Sequence, residues 1–307
     1  MINYLGNSAY CFSNSLKICL ENAGMENIPN VGLIEALTGM PFGATFLDLQ
    51  NPVFFPSPSK IDPEKGLSLA MESLGWSCTT EQIEEEANAK KSLVNAVKAG
   101  PVLVGPIDMG GLSYDPNRSI KQGGDHFVVV TNINNGWVEL HDPQLFPCAI
   151  LPINDFLDTW NAKEISYSTH PYTLRFDFRK FLDLSLDETI ANHLHTVRHL
   201  MKHEEIGGIV YCGSEAFLKV AELINGTTNR DFTNTLVNFC FPLGARRCID
   251  GSNYFSKAKN DNAAVLMEQK AKLFGNAQYY AVQENWESLV RVMNELALLE
   301  PEIAQII

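Results

Sequence analysis

The segment GGDHFVVVTNINNGWVELHDP, residues 123–143, carries the clearest β pattern in the sequence. Two runs rich in apolar and β-branched residues, 126–133 and 137–142, lie on either side of Asn135-Gly136. Such runs are typical of half-buried or buried strands. The Asn-Gly dipeptide favours a two-residue turn, since both positions of that turn need a positive φ. The segment therefore predicts an antiparallel hairpin.

His126 and Asp142 lie at the open end of this hairpin, on facing strands. With a two-residue turn the numbers of facing residues sum to about 270, so these two side chains are expected within hydrogen-bond reach of each other. A carboxylate that fixes the ring of a histidine base is the usual third member of a nucleophile, base and acid set. The pair therefore predicts the base and the orienting acid of a catalytic site.

Cys11 is the candidate nucleophile, because an amphipathic pattern predicts a helix over 8–23 and places this cysteine near its start. Backbone N–H groups at a helix start favour a thiolate, which is the nucleophilic form of cysteine. A neighbouring imidazolium, for which His126 is the candidate, would favour it further. The core-facing positions of this helix are Phe12, Leu16, Cys19 and Leu20.

The pattern of elements predicts an α+β N-terminal domain, residues 1–183, and a helical C-terminal domain, residues 184–307. Besides the hairpin and the first helix, the first domain is predicted to contain helices 31–37, 63–74, 80–99 and 154–160, and strands 101–107, 148–151, 165–168 and 172–176. The second is predicted to contain helices 186–203, 214–224, 231–239, 263–274 and 284–298.

Composition narrows the class of protein. Of the 307 residues, 45% are hydrophobic and 19% charged, which fits a folded globular chain. The net charge of -13 disfavours nucleic acid as a partner, since phosphate binding needs clustered cations. The sequence has neither an apolar run long enough to cross a bilayer nor a signal-peptide pattern, so we expect no membrane partner and a cytoplasmic location. The seven cysteines include no CxxC pair, and reduced thiols are expected.

Three segments resemble the butirosin biosynthesis protein H family, which belongs to the papain-like cysteine acyltransferase and peptidase superfamily and is related to double-glycine leader peptidases. They are AYCFSNSLKICLENAG (9–24), LIEALTGMPFGATFL (33–47) and the hairpin at 123–143. A looser likeness covers FPLGARRCIDGSNYFSKA (241–258) and ENWESLV (284–290).

This resemblance implies a papain-like fold and a cysteine acyltransferase of secondary-metabolite (antibiotic) biosynthesis. Cys11 would take an acyl group from a carrier-protein thioester and pass it to a small-molecule amine, with His126 as base and Asp142 as orienting acid. No cofactor is expected. Many papain-like enzymes have a glutamine before the nucleophile that helps to hold the oxyanion, and residues 4–8 contain none. Asn7 is the candidate replacement, alongside the backbone N–H of Cys11.

Several alternatives stay open. The same site could end in water, as a peptidase or amidase, or be an inactive module that binds a peptide or metabolite. Arg246 and Arg247 could bind a phosphate or carboxylate of the substrate, or form a structural salt bridge. The glycine-containing loop 108–125 suggests a mobile lid over the cleft. The histidines His193, His195, His199 and His203 have metal-ligand spacing, but a solvated helix face is the simpler interpretation and no metal is expected.

Overall fold

The computed structural model describes residues 2–7, 9–202, 208–226 and 230–307. The chain forms two compact units, one of residues 1–31 with 74–183 and the other of residues 32–73 with 184–307. The change of unit at 183 falls where the sequence predicts a domain boundary. Residues 32–73, which the sequence places in the N-terminal domain, group with the C-terminal part of the chain instead.

The described residues contain eleven α-helices and nine strands, numbered in chain order. The helices are α1 Cys11–Asn22, α2 Val31–Leu37, α3 Pro63–Ser73, α4 Glu86–Ala96, α5 Ile153–Trp160, α6 Leu186–Met201, α7 Ser214–Gly226, α8 Arg230–Thr235, α9 Phe241–Lys257, α10 Asp261–Val282 and α11 Trp286–Ile306. The strands are β1 Thr45–Leu47, β2 Val53–Phe55, β3 Trp76–Ile83, β4 Val102–Asp108, β5 Asp125–Asn134, β6 Trp137–Asp142, β7 Phe146–Pro152, β8 Tyr172–Lys180 and β9 Val210–Cys212.

The first unit is built on a six-stranded antiparallel sheet with the strand order β3-β8-β4-β5-β6-β7. Alternate residues of its central strands, with apolar side chains of α4 and α5, form a core in which Val128, Val130 and Leu140 are fully buried. Helix α1 packs against β5. The mixed class of helix and antiparallel sheet predicted for this part of the chain is therefore confirmed.

The predicted hairpin is present as β5 and β6. Asn135 and Gly136 have φ values of 49° and 81°, the left-handed conformation that the turn needs. Val129 faces His141, and their numbers sum to 270 as expected. Because side chains alternate along a strand, this register places His126 and Asp142 on one face of the sheet.

The helix predicted over 80–99 is wrong in its first part. Residues 76–83 form β3, which pairs antiparallel with β8, and the helix begins only at Glu86. The threonine at position 80, a residue type that often caps helices, pairs with Arg175 across the sheet. This edge strand is only partly buried, so its polar residues do not show the apolar alternation that identifies a strand.

Three further predictions differ from the structure or lie partly outside the described residues. Residues 165–168 form turns and not a strand. The helix predicted over 231–239 is α8 followed by a π-helical turn, Leu236–Cys240, which leads directly into the unpredicted helix α9. The predicted helix over 186–203 ends at Met201 among the described residues, and His203 lies outside them.

The second unit contains α6 to α11, with α2, α3 and a three-stranded antiparallel sheet in the order β2-β1-β9. Aromatic packing explains why residues 32–73 belong to it. Phe42 contacts both Tyr254 and Phe255, with ring centroids 5.3 Å apart in each case. Phe54 packs against Phe217 at 5.5 Å. No helix in the described part of the chain is long and apolar enough to cross a bilayer.

Candidate active site

A tight turn presents Cys11 at the start of α1. Tyr10, directly before it, has φ 57° and ψ 48°, a left-handed conformation that is uncommon for residues with a Cβ. Cys11 is the first residue of the helix and is partly exposed. It therefore lies at a helix start, where the backbone N–H groups and the helix dipole favour negative charge.

Asn14 secures this turn from inside the protein. Its side chain is 1% exposed, and its Nδ2 lies 2.9 Å from the carbonyl oxygen of Ala9 and 3.0 Å from that of Tyr10. Both carbonyls are acceptors, so the Asn14 atom that faces them must be the amide nitrogen. The sequence analysis did not identify Asn14 as a site residue.

The orientation of Asn7 follows from that of Asn14. Asn14 Nδ2 also lies 3.0 Å from Asn7 Oδ1, and the backbone N–H of Ala9 donates to the same oxygen at 3.4 Å. These two contacts assign Oδ1 of Asn7 as an acceptor and so fix which end of its amide carries the NH₂ group. The role of Asn7 as a donor to an oxyanion stays a prediction.

Helix α1 is held against β5 directly beside His126. The hydroxyl of Ser15 donates to the carbonyl oxygen of Phe127 at 3.3 Å, and the rings of Phe12 and Phe127 meet edge to face at 6.0 Å. These contacts bring the start of the helix to the histidine, so that Cys11 lies close enough to His126 to interact with it electrostatically.

His126 lies between Cys11 and Asp142. Its Nε2 is 2.6 Å from Asp142 Oδ1, with the two residues 2% and 1% exposed. Because Nε2 faces the carboxylate, Nδ1 is the ring nitrogen left for an interaction with Cys11. The structure thus brings together the three residues that the sequence selected: His126 is hydrogen-bonded to Asp142 and interacts electrostatically with Cys11.

The electrostatic environment of His126 favours the charged form of its imidazole ring. Burial acts to lower the pKa of His126, but the charges of Asp142 and Cys11 and hydrogen bonds to both raise it to about 10. Burial acts to raise the pKa of the Asp142 carboxyl, and His126, the backbone N–H of Gln144 and the Tyr114 hydroxyl together hold it below its usual value. The site can therefore keep an imidazolium beside the sulfur at neutral pH.

Asp142 has three further partners. The Tyr114 hydroxyl donates to its Oδ2 at 2.9 Å, and the backbone N–H of Gln144 donates to its Oδ1 at 2.7 Å. The Tyr4 hydroxyl donates to its backbone carbonyl at 3.1 Å. The carboxylate is therefore satisfied at both oxygens, as a buried charge needs to be.

The loop 108–125, interpreted from sequence as a mobile lid, is tied to the end of the hairpin. The ammonium group of Lys121 lies 2.7 Å from Asp115 Oδ2 and 2.8 Å from Gln144 Oε1. The ring of Tyr114 packs on Phe146 with centroids 5.4 Å apart. These contacts indicate a structural loop that supports the Asp142 carboxylate.

The remaining cysteines lie in different surroundings. All seven cysteines fall in the described part of the chain and none is in a disulfide. Burial raises the pKa of Cys19, and raises the pKa of Cys240 and of Cys248 to about 12. These three are core thiols, whereas Cys11 combines partial exposure with a histidine partner.

Arg246 and Arg247, predicted to bind substrate, belong to the second unit. Arg247 is 6% exposed, and its guanidinium forms an ion pair with Glu35 at 2.8 Å and donates to the carbonyl oxygen of Pro56 at 3.2 Å. Of the two roles that the sequence left open for Arg247, these contacts favour a structural salt bridge over substrate binding. Arg246 is partly exposed, with its Nε 4.0 Å from Asp250 Oδ2.

The other histidines have structural or solvent-facing positions. The Nδ1 of His193 lies 3.0 Å from the Tyr254 hydroxyl, and burial lowers the pKa of His193 to about 4. His195 and His199 are at least partly exposed, and His203 lies outside the described residues. His141 is buried between the Ile2 carbonyl and the Cys148 N–H. Within the described ranges no group of three or more His, Cys, Asp or Glu side chains could hold a metal ion.

Sequence reasoning missed Asn14 and Tyr114. Asn14 could have been identified from the sequence. It follows Cys11 by three residues and therefore lies on the same helical face, where a polar residue among apolar ones indicates a specific role. Tyr114 could not have been identified in this way, since it lies in an irregular loop whose path is set by tertiary contacts.

Comparison with known proteins places the chain in a family. It is 30% identical over 302 residues to "Uncharacterized protein YobF" of Bacillus subtilis (strain 168), which covers 98% of this chain and 96% of that relative. The YobF C-terminal domain family matches residues 208–307. The chain therefore belongs to the YobF family.

Proposed function

We propose that this protein is a cysteine-dependent acyltransferase that moves an acyl group from a thioester to an amine. One observation carries the proposal: a buried histidine is bonded to a fully satisfied carboxylate and interacts with a partly exposed cysteine at a helix start. A nucleophile, a base and an orienting acid in this order are what covalent acyl transfer requires.

The arrangement fits a papain-like site. In such sites the nucleophile begins a helix, and the base and acid lie on an antiparallel sheet. In this chain α1 supplies Cys11, and β5 and β6 supply His126 and Asp142. The resemblance of the same segments to the butirosin biosynthesis protein H family favours thioester substrates and amine acceptors over peptide hydrolysis.

In the first half-reaction the Cys11 thiolate attacks the carbonyl carbon of the donor thioester, and the carbonyl oxygen takes the negative charge. The Asn7 amide and the Cys11 N–H are the proposed donors to this oxyanion. When the intermediate collapses, the bond to the donor sulfur breaks and that sulfur takes a proton from the His126 imidazolium. The products are an acyl-Cys11 thioester, a free donor thiol and a neutral His126.

In the second half-reaction an amine attacks the acyl-Cys11 carbonyl. His126 takes the proton that the attacking nitrogen loses, and the bond between the carbonyl carbon and the Cys11 sulfur breaks. The product is an amide, and the thiolate and imidazolium are regenerated together. Asp142 keeps the histidine ring in place and stabilises its charge in both steps.

The proposed donor is the thioester of an acyl carrier protein, and the proposed acceptor is a small-molecule amine. The net charge of -13 is compatible with a cationic amine, which would be attracted to an acidic protein. The same charge does not favour an acidic carrier, so recognition of a carrier would need a local cationic surface.

The test is incubation of the protein with short acyl thioesters of N-acetylcysteamine, followed by intact-mass measurement. We expect an acyl adduct on the wild type and none on Cys11→Ala. The matched control is Cys148→Ala, which removes an exposed thiol outside the proposed site and should leave the adduct unchanged. Adding primary amines should then release the adduct as an amide.

Two results would overturn the proposal. Release of the acyl group by water alone, at a rate that no amine changes, would indicate a hydrolase. Absence of any adduct, together with Cys11 alkylation by iodoacetamide at the rate of a free thiol, would indicate an inactive binding module.

A further inference from the structure

We propose that Tyr114 is a positioning residue, which acts through Asp142 to hold the His126 ring in line with Cys11. This inference rests on the proposed function of the same site. It assigns a role to the loop 108–125, whose residues the mechanism does not otherwise use.

The geometry of the carboxylate carries the inference. A carboxylate on a fixed backbone can still rotate about its last side-chain bond. Asp142 Oδ1 accepts from His126 at 2.6 Å and from the Gln144 N–H at 2.7 Å, on one side of the group. The Tyr114 hydroxyl holds the opposite oxygen, Oδ2, at 2.9 Å. With both oxygens held, the plane of the carboxylate is fixed, and with it the direction of the hydrogen bond to His126.

The hydroxyl can act only as a donor in this contact. An ionised carboxylate has no proton to give, so the Tyr114 proton must lie between the two oxygens. Burial and the nearby charges of Asp142 and Asp115 raise the pKa of Tyr114, which keeps that proton in place.

The titratable groups that face Asp142 come from three parts of the first unit. His126 faces it from β5, and Tyr114 faces it from the loop. Tyr4 reaches its carbonyl from the N-terminal segment. Within the loop, the charge of Asp115 is balanced by Lys121 at 2.7 Å.

The loop is built to keep the hydroxyl in position. Leu112 is fully buried, and Tyr114 packs on Phe146. Lys121 joins the far part of the loop to Gln144, the residue whose N–H also holds Asp142. Loop and carboxylate therefore form one connected unit.

The experiment compares Tyr114→Phe with Tyr4→Phe. Tyr114→Phe removes a hydroxyl that donates to the carboxylate of Asp142. Tyr4→Phe removes a hydroxyl that donates to the backbone carbonyl of the same residue. The rates of Cys11 acylation by a thioester of N-acetylcysteamine and of alkylation by iodoacetamide are measured from pH 4 to 10, with thermal unfolding recorded for each protein.

For Tyr114→Phe we expect a roughly tenfold slower acylation and an acid limb of the rate profile that moves up by about one pH unit, as for loss of a hydrogen bond to a charged group. Tyr4→Phe should leave the acid limb in place. Tyr114→3-fluorotyrosine keeps the ring size nearly unchanged and makes the hydroxyl a stronger donor, so the acid limb should move to lower pH.

An acid limb unchanged in Tyr114→Phe, or moved equally by both variants, would overturn the inference. The alkylation series separates this failure from failure of the proposed function. If the wild type alkylates as an ion pair but is never acylated, acyl transfer is wrong while the role of Tyr114 is still tested by its alkylation profile.

Discussion

Both units of the molecule bury ionic pairs, and a pair in the first unit differs in kind from one in the second. In the first unit His126 meets Asp142 at 2.6 Å beside a partly exposed cysteine. In the second, Lys270 meets Glu300 at 2.5 Å, with the two side chains 2% and 0% exposed. The nearby thiol of Cys248 is itself buried, and its burial raises its pKa to about 12.

The comparison shows that burial of charge does not by itself mark a functional site. Lys270 stays charged, because the attraction of Glu300 outweighs the burial that acts to lower its pKa. It has no partly exposed nucleophile among its described contacts. The His126 pair contains an imidazole, the side chain that most readily exchanges a proton near neutral pH, and lies next to a partly exposed thiol.

The largest expected effect separates the two buried histidines. His126→Asn should slow acylation of Cys11 by about 10²–10⁴-fold, because it removes the base and the counter-charge of the thiolate. His193→Asn, which changes a histidine bonded to Tyr254 in the second unit, should leave the rate per folded molecule unchanged. Acylation kinetics by mass spectrometry give both values. Equal losses in the two variants would contradict the assignment of the base.

The next effect concerns the Lys270–Glu300 ion pair of the second unit. Glu300→Gln should lower the free energy of unfolding by about 3–5 kcal/mol, because it leaves the Lys270 ammonium buried without its counter-charge. The double variant Lys270→Met with Glu300→Leu should recover most of that loss. Urea unfolding measures both. A double variant as unstable as the single one would show that the pair itself, and not charge balance, stabilises the unit.

A smaller effect is the pH dependence of stability around His126. A histidine whose pKa rises from 6.5 to about 10 on folding contributes stability that is fully present below pH 6.5 and is lost as the pH rises through 10. The stability difference between wild type and His126→Asn should therefore shrink over this window by about 1.4 kcal/mol or more.

Asp142, whose pKa is lowered, contributes in the opposite sense: its share is present above about pH 3.9 and lost as the pH falls further. Urea titrations from pH 5 to 10 test the His126 contribution, and a constant difference would contradict it.

Much of the candidate site followed from local patterns. Asn135-Gly136 fixed the hairpin, and the hairpin fixed the register that brings His126 to Asp142. The buried residues of α1 included all four predicted core positions. The local sequence pattern did not predict β3, because this edge strand contains many polar residues. It is identified as a strand only by its pairing with β8.

Sequence spacing also could not assign residues 32–73 to their unit. Phe42 and Phe54 reach partners far along the chain, at Tyr254 and Phe217, and no short-range pattern records such a contact. The same holds for Arg247, whose pairing with Glu35 decides between a binding and a structural role.

The sequence alone determined the hairpin, the helix that begins at Cys11 and the pairing of His126 with Asp142, because turn chemistry and side-chain periodicity act over a few residues. Only the tertiary structure decided that Asn14 orients Asn7 and that Tyr114 holds the far oxygen of Asp142. The hydrogen bond from Tyr114 depends on the path of an irregular loop, and that path is set by packing against distant parts of the chain.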